Sequence, residues 1–315
     1  MQTIKVSHVA KSFGDVHAVA DVSFAVERGE IFGMLGPNGA GKTTTIRLML
    51  DIFKPDRGTV SILGGPMTEE KKERIGYMPE ERGLYKDAPL ERSLVYLGTL
   101  KGLSKAQARQ RLGEYLERFD LAEHKGKKVK ELSKGMQQKA QIINTILHQP
   151  ELVIIDEPFT SLDPINMQMV KDLMRELREQ GTTILMSTHH MHLVEELCDR
   201  IVLINQGRDV LYGNLNEIRR RYSGHAVLVQ AANGLALEQA LGQRPERSGS
   251  QQGLQIAGVV DVSLHNSATK LTLADGTTPQ DVLRALVAQD VVLEKFEIAV
   301  PTVDEIFIRV VEEGD

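Results

Sequence analysis

Short, nearly uninterrupted runs of Val, Ile and Leu alternate with longer amphipathic stretches over the first ~215 residues. IFGMLG at 31–36, LVIID at 152–156, TTILMST at 182–188 and IVLINQG at 201–207 have strand length. Continuous apolar runs separated by helices predict a parallel sheet covered on both faces. TTTIRLML follows a glycine-rich turn and HLVEELCD follows the third run; both have helical patterns. Residues 84–149 are rich in Leu, Glu, Lys, Arg and Gln at helical spacing, which predicts an inserted helical subdomain. The pattern changes after Tyr212. NEIRRRYSG, with its three consecutive arginines, predicts a linker. Beyond it the chain predicts strand 226–230, helix 235–242, strands 254–263 and 268–273, helix 278–289, strand 291–299 and helix 303–313. The turn signal LADGTTPQ separates the hairpin from the next helix. The order βαββαβ suggests a small ferredoxin-like sandwich. The expected organisation is an α/β domain over 1–215 and an α+β domain over 222–315.

Bulk properties narrow the function. A chain of 315 residues fits two domains. The hydrophobic share of 41% and charged share of 26% suit folded cores. A formal charge of -5 lacks the basic excess of a nucleic-acid binder. The single cysteine, Cys198, allows no intrachain disulfide and fits a reducing compartment. The start MQTIKVSHVAKSFG has no basic-then-apolar signal pattern. No stretch approaches the ~18 apolar residues of a membrane span. With no Trp and 4% aromatics there is no belt for a membrane interface. A membrane role would therefore run through a partner.

Two motifs carry chemistry. GPNGAGKT, Gly36 to Thr43, matches G-x-x-x-x-G-K-[ST] between a predicted strand and a predicted helix. Gly36, Gly39 and Gly41 let the backbone curl so that amide N–H groups, with the helix N-terminus, cradle phosphate oxygens. Lys42 places a cation at the β- and γ-phosphates, and Thr43 offers a hydroxyl to magnesium. Pro37, Asn38, Ala40 and Thr44 complete this candidate ATP-binding set. The bland reading, a chance glycine turn, does not account for the flanking elements. LVIIDEP at 152–158 ends an apolar strand in two carboxylates, which is costly without a cation to receive them. Asp156 would hold magnesium; Glu157 would polarise the attacking water as general base. Alone, such a strand could simply end in solvent-facing acids.

Further segments resemble the ABC ATPases. LSKGMQQKAQ at 132–141 is similar to that family's LSGGQ signature and lies about 20 residues before the second carboxylate motif. SLD at 161–163 resembles the D-loop, with Asp163; STHH at 187–190 resembles the switch segment, with His189. KSFG at 11–14 resembles the segment that stacks an aromatic on adenine, here Phe13, although a lone aromatic is more often core. YMPE at 77–80 resembles the Q-loop, with Glu80 near the expected magnesium where most members have Gln. The resemblance covers residues 1 to ~215. It implies head-to-tail pairing with a second copy or a paralogue, each ATP closed between one subunit's phosphate loop and the other's Ser133 and Gly135. Ser133 alone would read as a helix N-cap. His189 falls at the end of a predicted parallel strand, where α/β proteins bind ligands; His190 and His192 have no match and read as surface residues. Lys134 and Met136 depart from the common signature.

GYMPEERGLY with ELSKGMQQK, and the tail TVDEIFIRVVEE, resemble a narrower branch. Its members are ATP-binding subunits of exporters, similar to sodium-extrusion ATPases, with separate ABC-2-type membrane subunits and an added C-terminal domain. The resemblance implies a cytoplasmic protein held at the inner face of the membrane by its permease. An ABC ATPase acting on ribosomes or DNA is opposed by the acidic charge and by the lack of a second nucleotide-binding unit or long insertion. A binding protein that has lost catalysis is opposed by Lys42, Asp156 and Glu157. Leu84, Tyr85, Leu94, Val95 and Leu97 are the candidate surface for the membrane partner, with Tyr85 the most exposed.

Overall fold

A computed structural model describes residues 2–81, 83–232, 256–265 and 268–312. By contacts the chain divides into two compact units, Met1–Leu215 with Arg309–Asp315, and Asn216–Ile308. In the first, the hairpin β1 (Gln2–Phe13) and β2 (Val16–Glu27) leads to β3 (Ile31–Leu35) and α1 (Lys42–Met49). Next come β4 (Arg57–Ile62), α2 (Glu69–Glu73), β5 (Ile75–Met78) and three helices, α3 (Leu90–Leu100), α4 (Lys105–Arg118) and α5 (Lys134–Ile146). The alternation of β6 (Leu152–Asp156), α6 (Pro164–Glu179), β7 (Thr183–Thr188) and α7 (Met191–Leu197) follows, then the hairpin β8 (Arg200–Asn205) and β9 (Arg208–Asn214).

The sheet is nine-stranded, in the order β4-β1-β2-β9-β8-β3-β7-β6-β5. The strands predicted from continuous apolar runs are its parallel neighbours β8, β3, β7 and β6, with β5 at the end. Every residue of β3, β6 and β7 is buried, which is why these segments read as unbroken Val/Ile/Leu runs. The purely parallel expectation needs correction, because β1 pairs antiparallel with β2 and β4, and β8 with β9. In this wing Ile4, Val6 and Val9 of β1 and Val22, Phe24 and Val26 of β2 are buried among more polar neighbours. A one-sided strand gives only that weaker alternation. The predicted helical subdomain corresponds to α3, α4 and α5.

The segment predicted as a linker is largely helical. Leu215–Arg221 forms a helix, α8, with Leu215 and Ile218 buried. The second unit contains β10 (Ala226–Ala231), β11 (Val259–His265), β12 (Ala268–Leu273), α9 (Pro279–Ala288) and β13 (Leu293–Ile298), and α10 (Val303–Glu312) begins within it. Its sheet runs β11-β12-β10-β13 with every neighbour antiparallel. β10 and β11 therefore run parallel with β12 between them, the split arrangement expected of a ferredoxin-like order. The predicted helix 235–242 lies outside the described residues. Val227, Val229, Leu271, Leu273, Val282 and Leu286 form the core. Thr278 caps α9 in a reciprocal capping box with Asp281, fixing where the helix starts.

Candidate nucleotide site

The turn from β3 into α1 is built from three glycines with positive φ: Gly36 at 147°, Gly39 at 80° and Gly41 at 107°. A Cβ on Gly36 would lie 2.1 Å from the Ile204 carbonyl oxygen, and one on Gly41 2.5 Å from that of Ala18. Only glycine fits either place. The β8–β9 turn braces the loop from behind, with Gly207 N–H donating to the Ala40 carbonyl at 2.9 Å. Lys42 folds over the turn, its Nζ donating to the carbonyls of Gly36 (2.7 Å) and Pro37 (3.1 Å). Burial lowers the Lys42 pKa, opposed by the negative charges of Glu157, Asp156 and Glu80. The ammonium and the loop amides suit a phosphate, while the surrounding carboxylates call for a cation between them and such a polyanion.

The carboxylates stand at the ends of β6 and β7, whose register sets Asp156 opposite Ser187. Asp156 is 2% exposed. Its Oδ1 accepts the Ser187 hydroxyl and its Oδ2 accepts that of Thr43 at 2.9 Å. A carboxylate and a threonine hydroxyl side by side are hard oxygen donors, and this donor set fits magnesium. Glu157, 8% exposed, has left-handed backbone at φ 53°. Such a conformation in a non-glycine residue costs roughly 1–3 kcal/mol and has to be held by its surroundings. Here the Glu157 N–H donates to the Ser187 carbonyl at 3.0 Å. Its Oε2 accepts the Thr188 hydroxyl at 3.1 Å, and its Oε1 accepts the His189 backbone N–H at 3.0 Å and meets His189 Nδ1 at 2.7 Å. With the carboxylate ionised, Nδ1 carries the proton and donates it, leaving Nε2 for a ligand.

The structure thus brings together the phosphate loop, Thr43, Asp156, Glu157 and His189. Glu80 is exposed but near enough to act electrostatically on Lys42. Phe13 is not core: it is 44% exposed and packs edge-on to Phe53, centroids 5.2 Å apart. Ser133 is exposed and caps α5, accepting the Met136 N–H at 3.2 Å. A Cβ on Gly135 would come within 3.0 Å of the Ser161 carbonyl oxygen. Asp163 is exposed and caps α6 through Asn166; those hydrogen bonds lower its pKa.

Four residues that sequence reasoning passed over complete the frame. Ser187 and Thr188 supply the hydroxyls just described. Gln138 and Gln141, one turn apart on the buried face of α5, grip loops. Gln138 Nε2 donates to the Pro158 carbonyl (3.1 Å) and Gln141 Nε2 to that of Pro79 (2.8 Å). Buried amides amid the apolar positions of a helix were the available signal. Of the candidate partner surface, Leu84, Leu94 and Val95 are core instead. Tyr85 is 51% exposed and lies 5.9 Å, ring to ring, from Tyr96, which is 50% exposed. Tyr96 and Val95 border an open groove of about 490 Å³ on α3 and α4, with Thr99, Lys105 and Arg109.

A glycine cradle with a buried lysine, beside a parallel-strand edge carrying two carboxylates and a histidine, defines a P-loop ATPase of the ABC class. The family model "ABC transporter" matches residues 19–160, and the model "ATP-binding protein DrrA1-3-like, C-terminal domain" matches residues 213–311. The ABC transporter ATP-binding protein YhaQ of Bacillus subtilis (strain 168) is 38% identical, over 97% of each chain. The Nod factor export ATP-binding protein I of Burkholderia lata is 39% identical over 65% of this chain and 69% of its own. A solved ATP-binding subunit of an ABC transporter superposes with a TM-score of 0.66 at 35% identity, covering 70% of this chain and 93% of its own. The chain belongs to the ABC transporter ATP-binding proteins; it binds and hydrolyses ATP. No helix among the described residues is long and apolar enough to cross a membrane.

Proposed function

We propose that this subunit drives an exporter whose membrane part is a separate ABC-2-type permease, and that it works on the cytoplasmic face. Residues 1–215 serve as the nucleotide-binding domain, with the helical subdomain at about 84–149, and 222–315 as an accessory domain. Two such subunits, copies or paralogues, close head to tail over ATP, and hydrolysis reopens them. The export-named relative and the C-terminal family model support the exporter reading.

The observation that carries the mechanism is Glu157, buried behind Lys42 and oriented by Thr188 and His189. Glu157 accepts a proton from the attacking water as general base. His189, hydrogen-bonded to Glu157 through Nδ1, donates Nε2–H to the γ-phosphate as the doubly protonated ring, while Lys42 and the loop amides from Asn38 to Thr44 bear the β- and γ-phosphate charge. Thr43 and Asp156, with Glu80 nearby, would hold magnesium, which neutralises charge on the phosphate oxygens. Phe13 stacks on adenine; Ser133, Gly135 and Asp163 act across the closed dimer.

Glu157→Gln should lower steady-state hydrolysis about 10²–10⁴-fold while ATP still binds, leaving an ATP-bound dimer visible by size-exclusion chromatography. Near-normal turnover would remove Glu157 from the base role. The permease docks at the groove beside Tyr85 and Tyr96. Tyr85→Ala should reduce co-purification of the permease and spare ATP binding; undiminished recovery would move the docking surface elsewhere.

A further inference from the structure

The run HHMH, His189 to His192, holds more imidazoles than ATP hydrolysis uses. His190 and His192 have no part in the nucleotide site, yet their rings pack in series from His189. The His189 and His190 ring centroids are 4.0 Å apart, and those of His190 and His192 are 5.9 Å apart. One ligand atom each from Glu157, His189 and His190 lies within 4.8 Å of the others. Ligand atoms in a tetrahedral site with bonds of ~2.0–2.2 Å stand roughly 3.3 Å apart, so side-chain torsions can close this set on an ion.

Two imidazoles and one carboxylate are borderline ligands. They suit zinc or a similar first-row divalent ion rather than magnesium, which takes oxygen. The Thr188 hydroxyl donates to the other Glu157 oxygen at 3.1 Å and so helps orient that carboxylate, and the backbone N–H of His190 donates to Thr188 Oγ1 at 3.1 Å, anchoring the main chain that carries the His190 ring.

We propose that Glu157, His189 and His190 form a site for a zinc-class divalent cation, separate from the Thr43–Asp156 magnesium donors, and that its occupation stops hydrolysis by engaging Glu157. Binding at His189 Nδ1 breaks its hydrogen bond to Glu157 and shifts the ring proton to Nε2, the other neutral tautomer, and leaves a fourth coordination position for water. The binding half stands on geometry. The inhibitory half rests on Glu157 being the base.

The test is titration of the full-length chain with zinc chloride by calorimetry, without nucleotide or magnesium. One ion should bind per chain, and His190→Ala should weaken it by about tenfold or more. Cobalt(II) should give tetrahedral d–d absorption, and His190→Cys should keep the site and add a thiolate charge-transfer band. Wild type without zinc binding, or with binding that His190→Ala and His190→Cys leave untouched, would overturn the site. In the ATPase assay with excess magnesium-ATP, zinc should lower the wild-type rate, and a zinc-selective chelator should restore it. His190→Ala should respond less, relative to its own zinc-free rate. Binding at these residues without inhibition would overturn the inhibitory role. Normal turnover of Glu157→Gln would instead overturn the base assignment, with the calorimetric result still standing.

Discussion

The carboxyl ends of β6 and β7 and the small sheet β10–β13 solve opposite problems. At the strand ends, Asp156 and Glu157 are buried charges, each accepting hydrogen bonds from neighbouring hydroxyl or N–H groups, and Glu157 has a backbone conformation disfavoured for its side chain. In the small sheet the core is apolar throughout, and the buried polar residue among those described there is Thr269. Its charges lie outside, as with Glu294, Lys295 and Glu297 on the edge strand β13. Burying a carboxylate is expensive unless every partner is supplied. The first region bears that cost at the candidate nucleotide site; the second follows the ordinary rule of apolar inside and polar outside. A departure from the burial rule, offset by hydroxyl and N–H donors, is what separates the strand ends from the small sheet.

That contrast can be broken most forcefully in the accessory core. Leu286 is 0% exposed on α9. Leu286→Ala should destabilise the second unit by about 2–5 kcal/mol through lost burial and the cavity left behind. Calorimetry should show earlier melting, while ATP affinity measured below that transition stays as in wild type. A parallel loss of ATP affinity would mean that the small sheet completes the nucleotide site.

A smaller effect sharpens the other side. Ser187→Ala removes a donor from Asp156 and leaves one oxygen of a buried carboxylate without its hydroxyl. The cost should be about 1–2 kcal/mol, read as roughly a tenfold higher magnesium requirement for hydrolysis. A magnesium titration of the ATPase rate checks it. An unchanged requirement would show that Thr43 alone suffices to hold Asp156.

How much was legible differs by the range of the signal. The four buried strands β3, β6, β7 and β8, the last with half-buried ends, the helical segment and most of the second unit's elements were readable, because apolar periodicity is a local property. β1, β2 and β4 were not: the buried positions of β1 and β2 are interrupted by exposed or half-buried ones and β4 buries Ile62 alone, so none carries an unbroken apolar run. NEIRRRYSG read as a linker from its arginines, yet most of the segment is helical and Ile218 is buried.

The sequence by itself determined the phosphate cradle, the paired carboxylates and the histidine after TTILMST. Glycine conformational freedom, carboxylate chemistry and strand-end position travel with residue identity and spacing. Tertiary structure decided what holds those groups. The register of β6 against β7 turns Ser187 and Thr188 from strand residues into donors for Asp156 and Glu157. The packing of α5 turns two glutamines into clamps on separate loops. Hydrogen bonds across |i−j| of 31 residues, like that of Ser187 to Asp156, leave no local pattern, since either partner satisfies the burial rule only when the other is present.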